Sequence, residues 1–310
     1  MNWYGVMPAV TTPFDAALKV DLAFLEQHAR WLLDNGCTGL VMLGSLGEGA
    51  TLEHAEKIAI LKTAVRASAG KTPVVAAISA LSTAHAIQLA KDAEANGCSG
   101  LMVLPPYVYS SDWREMKQHI AAVISATRLP CMLYNNPVAY KTDFLPAQIQ
   151  ELDAEHPNLA AVKESSADVR RIAAIRSLLD SRLALFVGVD DVVVEAVNLG
   201  ATGWIAGLVN AFPAESVELF NLAIAGKKDE AFALYRWFLP LLRMDTVPKF
   251  VQLIKWVQGQ TGTGIARVRP PRLELYGAEL EEARTTLATA LANPPSIRST
   301  PFPAAAASIP

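Results

Sequence analysis

Lys163 directly follows an apolar run, in Ala160-Ala161-Val162-Lys163-Glu164-Ser165. Desolvation penalises an ammonium in such a place, and an uncharged amine is a nucleophile toward carbonyl carbon. That chemistry needs companions, and other apolar runs end in suitable ones. Tyr134-Asn135-Asn136-Pro137 supplies a phenol that can pass protons when it is hydrogen-bonded. Gly44-Ser45-Leu46-Gly47-Glu48 supplies a serine hydroxyl, and Gly44 and Gly47 let backbone N–H groups approach a carboxylate. Each has a plainer use when taken alone: a lysine reaching for solvent, a rim tyrosine with a wet tip, a tight turn. Together a carboxylate cradle, a proton-carrying phenol and an amine are the parts for Schiff-base chemistry on a 2-oxo acid. Two further strand ends carry polar groups. Gly188-Val189-Asp190-Asp191 is expected to cap the next helix rather than bind a cation. Gly203-Trp204-Ile205-Ala206-Gly207 is expected to turn backbone groups toward a ligand, with tight packing as the bland alternative.

Positioning these groups requires a scaffold, and the sequence carries a repeating one. Eight short aliphatic or β-branched runs alternate with stretches of helical periodicity: Val6 to Thr11, Gly39 to Leu43, Val74 to Ser79, Gly100 to Leu104, Cys131 to Asn135, Ala160 to Lys163, Ala184 to Val187 and Gly203 to Ala206. Their nearly continuous apolar character suits parallel strands buried on both faces. Helix signals lie between them. Asp21 and the Asp112-x-x-Glu115 box mark starts, and Asn35-Gly36, Asn96-Gly97 and Leu199-Gly200 mark ends. Eight such units predict an α/β fold, a (β/α)8 TIM barrel, over a doubly wound sheet. In such a barrel the reactive groups gather at the C-terminal strand ends, which is where the residues above stand. Residues 1–212 are read as the barrel core, 213–292 as the closing helix and a C-terminal helical region, and 293–310, rich in Pro, Ala and Ser, as a mobile tail.

The 310-residue chain is 52% hydrophobic, which supports a large core, and 27 basic against 30 acidic residues give a net charge of -3. The summed field offers nucleic acid or an anionic membrane no general attraction. Cys37, Cys98 and Cys131 are far apart and show no zinc spacing. With no export signal or spanning run, the expected compartment is the cytoplasm.

These motifs, in this order and spacing, resemble the dihydrodipicolinate synthase / N-acetylneuraminate lyase family from about Gly5 to Leu275. Gly5-Val6-Met7-Pro8-Ala9-Val10-Thr11-Thr12-Pro13-Phe14 is similar to its opening strand. The resemblance implies a barrel with a C-terminal helical region, a homotetramer built as a dimer of dimers, a lysine imine, and no metal or organic cofactor. It implies that Lys163 attacks C2 of the substrate while Tyr134 assists proton transfer. Ser45 and the N–H groups around Leu46 would hold the substrate carboxylate, with the Ile205 carbonyl facing the imine. Three departures bear on substrate. Leu46 replaces a hydroxyl residue of the family's loop. Pro106-Tyr107-Val108-Tyr109 puts valine where synthases proper carry a second tyrosine, which Tyr109 could replace only along a different backbone path. Val138-Ala139-Tyr140 lacks the arginine those synthases use for the aldehyde substrate. The combination of Asn35-Gly36-Cys37-Thr38-Gly39, Gly44-Ser45-Leu46-Gly47-Glu48-Gly49 and Tyr134-Asn135-Asn136-Pro137 is most similar to family members that convert Δ1-pyrroline-4-hydroxy-2-carboxylate to 2-oxoglutarate semialdehyde and ammonia. The alternatives are an aldolase or dehydratase of a 2-keto-3-deoxy sugar acid and, further off, a synthase proper or a catalytically silent ligand sensor.

Overall fold

The computed structural model describes residues 1–106 and 112–303. Eight parallel strands form its centre: β1 Gly5–Pro8, β2 Leu40–Met42, β3 Val74–Ile78, β4 Gly100–Val103, β5 Cys131–Asn135, β6 Leu159–Glu164, β7 Ala184–Val187 and β8 Gly203–Ala206. They pair in the order β1-β8-β7-β6-β5-β4-β3-β2. The ring is completed between β1 and β2 by a parallel bridge, Ala9 opposite Val41, with Val10 N–H donating to the Val41 carbonyl at 2.9 Å. Nearly every strand residue is buried, because the inner face packs on itself and the outer face is covered by helices. This is the predicted TIM barrel, with strand limits within a few residues of the sequence reading.

The helices start and stop where short polar side chains allow it. Asp21 accepts from Phe24 N–H at 2.9 Å to open the Leu22–Asp34 helix, and Asp112 accepts from Glu115 N–H at 2.9 Å to open Trp113–Ser125. Gly36, with φ +93°, turns the chain out of the first of these helices toward β2. The C-terminal region consists of the helices Pro213–Ile224, Lys228–Leu242, Phe250–Thr261 and Ala278–Ala292. Phe250–Thr261 returns to the barrel mouth. Its Gln258 accepts from the Thr11 hydroxyl at 2.9 Å, and its Lys255 reaches the Thr12 carbonyl at 2.8 Å. Among the described residues no helix is long and apolar enough to cross a membrane.

The tail read as mobile is docked as far as Pro303. The Trp31 indole N–H donates to the Thr300 carbonyl at 2.8 Å, Ser299 Oγ donates to Glu215 at 2.6 Å, and the Phe302 ring centroid lies 5.3 Å from those of Phe24 and Trp31. One aromatic ring, one hydroxyl and one backbone carbonyl thus give an aperiodic segment a place on the surface. Residues 304–310, the rest of that tail, lie outside the described residues, as do Val108 and Tyr109.

Candidate active site

Parallel pairing sets Tyr134 of β5 opposite Lys163 of β6, and Lys163 opposite Phe186 of β7. Lys163 and Tyr134 are each 6% exposed, and the lysine Nζ lies 4.2 Å from the tyrosine ring centroid. Among the described residues Nζ makes no hydrogen bond and no ion pair. A buried amine without a partner is costly to keep, so its position invites a functional reading. The next residue of each strand points the other way and is tied down. Asn135 donates to Glu164 at 3.0 Å and to Asp143 at 3.1 Å, and Arg171 holds Asp143 at 2.7 Å. With Asn135 and Glu164 anchored, the strand alternation fixes Tyr134 and Lys163 toward the interior. Burial raises the Glu164 carboxyl above its ordinary range, against its hydrogen bonds.

Room for the lysine comes from β7. A Cβ on Gly188 would lie 2.3 Å from Lys163 Cε and 2.0 Å from Ser165 Oγ, so only glycine fits beside this stem. Gly188 is thus a packing requirement of the site.

The loop after β2 reaches the same place. Ser45 Oγ and the Tyr140 hydroxyl form a short hydrogen bond, the Tyr140 ring meets that of Tyr134 edge-on at 5.8 Å, and Asn136 Nδ2 donates to the Tyr134 hydroxyl at 3.0 Å. Ser45, Tyr140, Tyr134 and Lys163 therefore form one connected group. Tyr140 was missed from sequence because it ends a single-turn helix, Pro137–Tyr140, whose orientation depends on the Asn136 side chain accepting from Ala139 N–H at 2.9 Å. Ala139, in the Val138-Ala139-Tyr140 segment that carries no arginine, is exposed.

The loop's shape is enforced from below. Leu43 and Glu48 both have left-handed backbones, at φ 67° and 54°, and a Cβ on Gly49 would lie 2.1 Å from the Leu43 carbonyl oxygen. Glu48 is fully buried. Its carboxylate accepts from Lys255 Nζ at 2.8 Å and from Arg269 N–H at 3.0 Å, and Thr12 donates to the Gly47 carbonyl at 2.6 Å. Among the described residues the N–H groups of Ser45 and Leu46 enter no backbone hydrogen bond, so they remain available to an anion. The Leu46 side chain is buried beside them.

The end of β8 departs from the sequence reading. Gly207 was expected to offer backbone groups to a ligand, but both are committed. Its N–H donates to Asp190 at 3.1 Å, and its carbonyl accepts from Asn210 Nδ2 at 2.8 Å. Asp190 likewise does not cap the helix that follows it. Its fully buried carboxylate accepts from Trp204 Nε1 and Leu208 N–H, each at 2.9 Å, and so joins β7 to β8. Burial pushes the Asp190 carboxyl up to about 6, with these hydrogen bonds and Lys163 opposing. Gly207 contributes space, because a Cβ there would lie 2.0 Å from Asp245 Oδ1. Asp245 comes from the short turn Arg243–Asp245 of the C-terminal region. The residue as a whole is partly exposed, but its Oδ1 is sealed from solvent and has no hydrogen-bond partner. Sequence reasoning missed it because nothing local marks a turn after a helix as part of a barrel mouth. Ile205, also on β8, is buried.

A strand-end lysine beside a phenol, with a hydroxyl loop opposite, matches what comparison with known proteins returns. The model of the Dihydrodipicolinate synthetase family matches residues 2–290. The chain belongs to that family. It is accordingly an enzyme of the class I aldolase type, a lyase that forms a lysine Schiff base with a small-molecule substrate. Among its relatives, the 4-hydroxy-tetrahydrodipicolinate synthase of Moorella thermoacetica is 32% identical over 91% of this chain and 95% of its own. The structure of the 4-hydroxy-tetrahydrodipicolinate synthase from Methylacidiphilum fumariolicum superposes with a TM-score of 0.90 at 26% identity, covering 94% of this chain and 97% of the other. The Acinetobacter baumannii dihydrodipicolinate synthase solved with pyruvate gives 0.87 at 29% identity over 93% and 98%.

Proposed function

We propose that Lys163 is the imine-forming lysine and that the enzyme deaminates and dehydrates Δ1-pyrroline-4-hydroxy-2-carboxylate, giving 2-oxoglutarate semialdehyde and ammonia. The observation that carries the first part is the buried, unpartnered Lys163 Nζ at 4.2 Å from the Tyr134 ring. Lys163 attacks C2 and displaces the ring nitrogen. The protonated imine is an electron sink that acidifies C3, so the C4 hydroxyl can leave and water can release the products. Tyr134 passes protons as the imine forms and breaks, and the short contact between Ser45 and Tyr140 extends that relay within the same chain. Ser45 and the N–H of Leu46 hold the carboxylate. Gly44 and Gly47 keep the loop close to it, and the Ile205 carbonyl faces the imine.

Two features support this substrate over the 4-hydroxy-tetrahydrodipicolinate synthase activity for which the relatives are named. The buried Leu46 adds apolar bulk where the family's loop carries a hydroxyl, and the exposed Ala139 offers no cation for a second carboxylate. The homotetramer expected from the resemblance belongs to the same proposal. The test is direct: purified protein given the cyclic imine should release ammonia in step with 2-oxoglutarate semialdehyde. No ammonia, together with cleavage or dehydration of a 2-keto-3-deoxy sugar acid, would replace this substrate with that one.

A further inference from the structure

Gly188 and Gly207 sit just beyond the ends of neighbouring strands β7 and β8, and other side chains fill the space that each leaves. At Gly188 the space is filled by Lys163 together with Ser165, and at Gly207 by Asp245. The β2 loop takes the substrate carboxylate in the reading above, so the chain running from C3 to C5 must leave C2 in another direction. At the ends of β7 and β8 Asp245 packs on Gly207, one strand over from Gly188, on which the Lys163 stem packs. A carboxylate kept for structure alone would have donors around it, as Asp190 does with Trp204, Gly207 and Leu208. Asp245 has a sealed Oδ1 with none.

We propose that Asp245 is a catalytic acid that protonates the hydroxyl leaving C4 once the imine to Lys163 has formed at C2. This rests on the substrate reading above. The C3–H bond breaks first, its proton passing by way of the Tyr134 hydroxyl to water, and its electron pair forms a C2=C3 double bond as the iminium nitrogen takes up the charge. That pair then forms C3=C4 and the iminium returns. The C4–O bond breaks, and its oxygen departs as water carrying the Asp245 proton. The Asp245 carboxylate next accepts a proton from C5 as the double bonds shift toward the amine, which restores the acid. C3 and C4 each take a proton from water, by way of the same Tyr134 hydroxyl, which gives the two C=N bonds. Hydrolysis of the two C=N bonds consumes two waters against the one released, leaving one ammonia, and no oxidant or reductant is required.

The setting suits an acid. Burial, with the like charge of Asp190, raises the Asp245 carboxyl well above the ordinary range, whereas Lys163 opposes and Asp191 adds to the rise. Arg243 faces Asp191 at 3.6 Å.

The experiment compares wild type, Asp245→Asn and Asp245→Glu. Ammonia release from the cyclic imine is measured alongside borohydride trapping with that imine and with pyruvate, which has no leaving group. In Asp245→Asn, ammonia release should fall about 10²–10³-fold, the scale of a lost general acid. The pyruvate adduct should still form, and the adduct trapped from the cyclic imine should retain its hydroxyl, one water heavier than the dehydrated species. Asp245→Glu should recover at least about a tenth of the wild-type rate and keep an alkaline limb in the kcat profile that Asp245→Asn lacks. Asp245→Asn turnover within about threefold of wild type overturns the proposal while leaving the substrate reading intact. Loss of the pyruvate adduct in both variants also overturns it, because Asp245 would then hold the fold. No ammonia from wild type overturns the substrate reading, and this proposal with it.

Discussion

The protein buries two lysines at one barrel mouth, and they are opposites. Lys255 is 1% exposed and Lys163 is 6% exposed, and each has its Nζ over an aromatic ring, at 4.5 Å from Phe14 and 4.2 Å from Tyr134. Lys255 is also paired, donating at 2.8 Å to both the Glu48 carboxylate and the Thr12 carbonyl. Burial pushes it down to about 8, with Glu48 pulling the other way. Lys163 has no such partners among the described residues. Burial alone therefore does not single out a reactive lysine; in the proposed reading it is burial without a partner that marks Lys163. One lysine locks the loop that would hold a carboxylate, and the other waits beside it.

Breaking each lysine separately gives the largest expected effects, in different measurements. Lys163→Ala should abolish turnover, by on the order of 10⁴-fold or more, with little change in melting temperature because no hydrogen bond to the described residues is lost. Lys255→Met should do the reverse. It removes the nearest cation from the buried Glu48 carboxylate, leaving the Arg269 N–H at 3.0 Å and Arg272 at 3.7 Å, at a cost of about 3 kcal/mol, which lowers the melting point by roughly 6–10 °C while the folded fraction still forms the imine. Equal activity losses in the two variants would erase the distinction.

Smaller changes sharpen the contrast around Lys163. Gly188→Ala pushes a methyl group to 2.3 Å from Lys163 Cε, so the amine must move. We expect kcat/KM to fall about 10²-fold, the scale for misplacing a reacting group by about an ångström. The smallest effect is a pH dependence of stability. Asp190 is raised from 3.8 to about 6 by burial. Between these values the folded chain holds a proton that the unfolded chain has lost, so this group's contribution falls as pH rises from about 4 to about 6 and is flat above. Asp190→Asn lacks this component. The melting-point advantage of wild type over the variant should shrink across that window, and thermal scans at several pH values will show whether it does.

The sequence made the barrel legible because strand burial and helix punctuation are local. Cys131 to Asn135 and Ala184 to Val187 read as strands from composition alone, and Asp21 and Asp112 announced their helices. Lys163, Tyr134 and Ser45 were legible for a related reason: each follows an apolar run, and a parallel barrel brings such ends together. Tyr140, Glu48 and Asp245 were not. Tyr140 depends on the pitch of one helical turn, Glu48 on a lysine 207 residues away, and Asp245 on where the C-terminal region folds back. Gly207 misled because openness to a ligand and openness to a neighbouring side chain look alike in one dimension. The docked tail misled because Ser299, Thr300 and Phe302 carry no period, only partners.

The central claim is that the unpartnered lysine is the reactive one. Borohydride reduction in the presence of pyruvate and, separately, of the cyclic imine, followed by peptide mass mapping, tests it directly. The account predicts a single adduct per chain on the peptide containing Lys163, with the peptide containing Lys255 unmodified. An adduct on Lys255, or no adduct on Lys163 with any 2-oxo acid or cyclic imine, would contradict it.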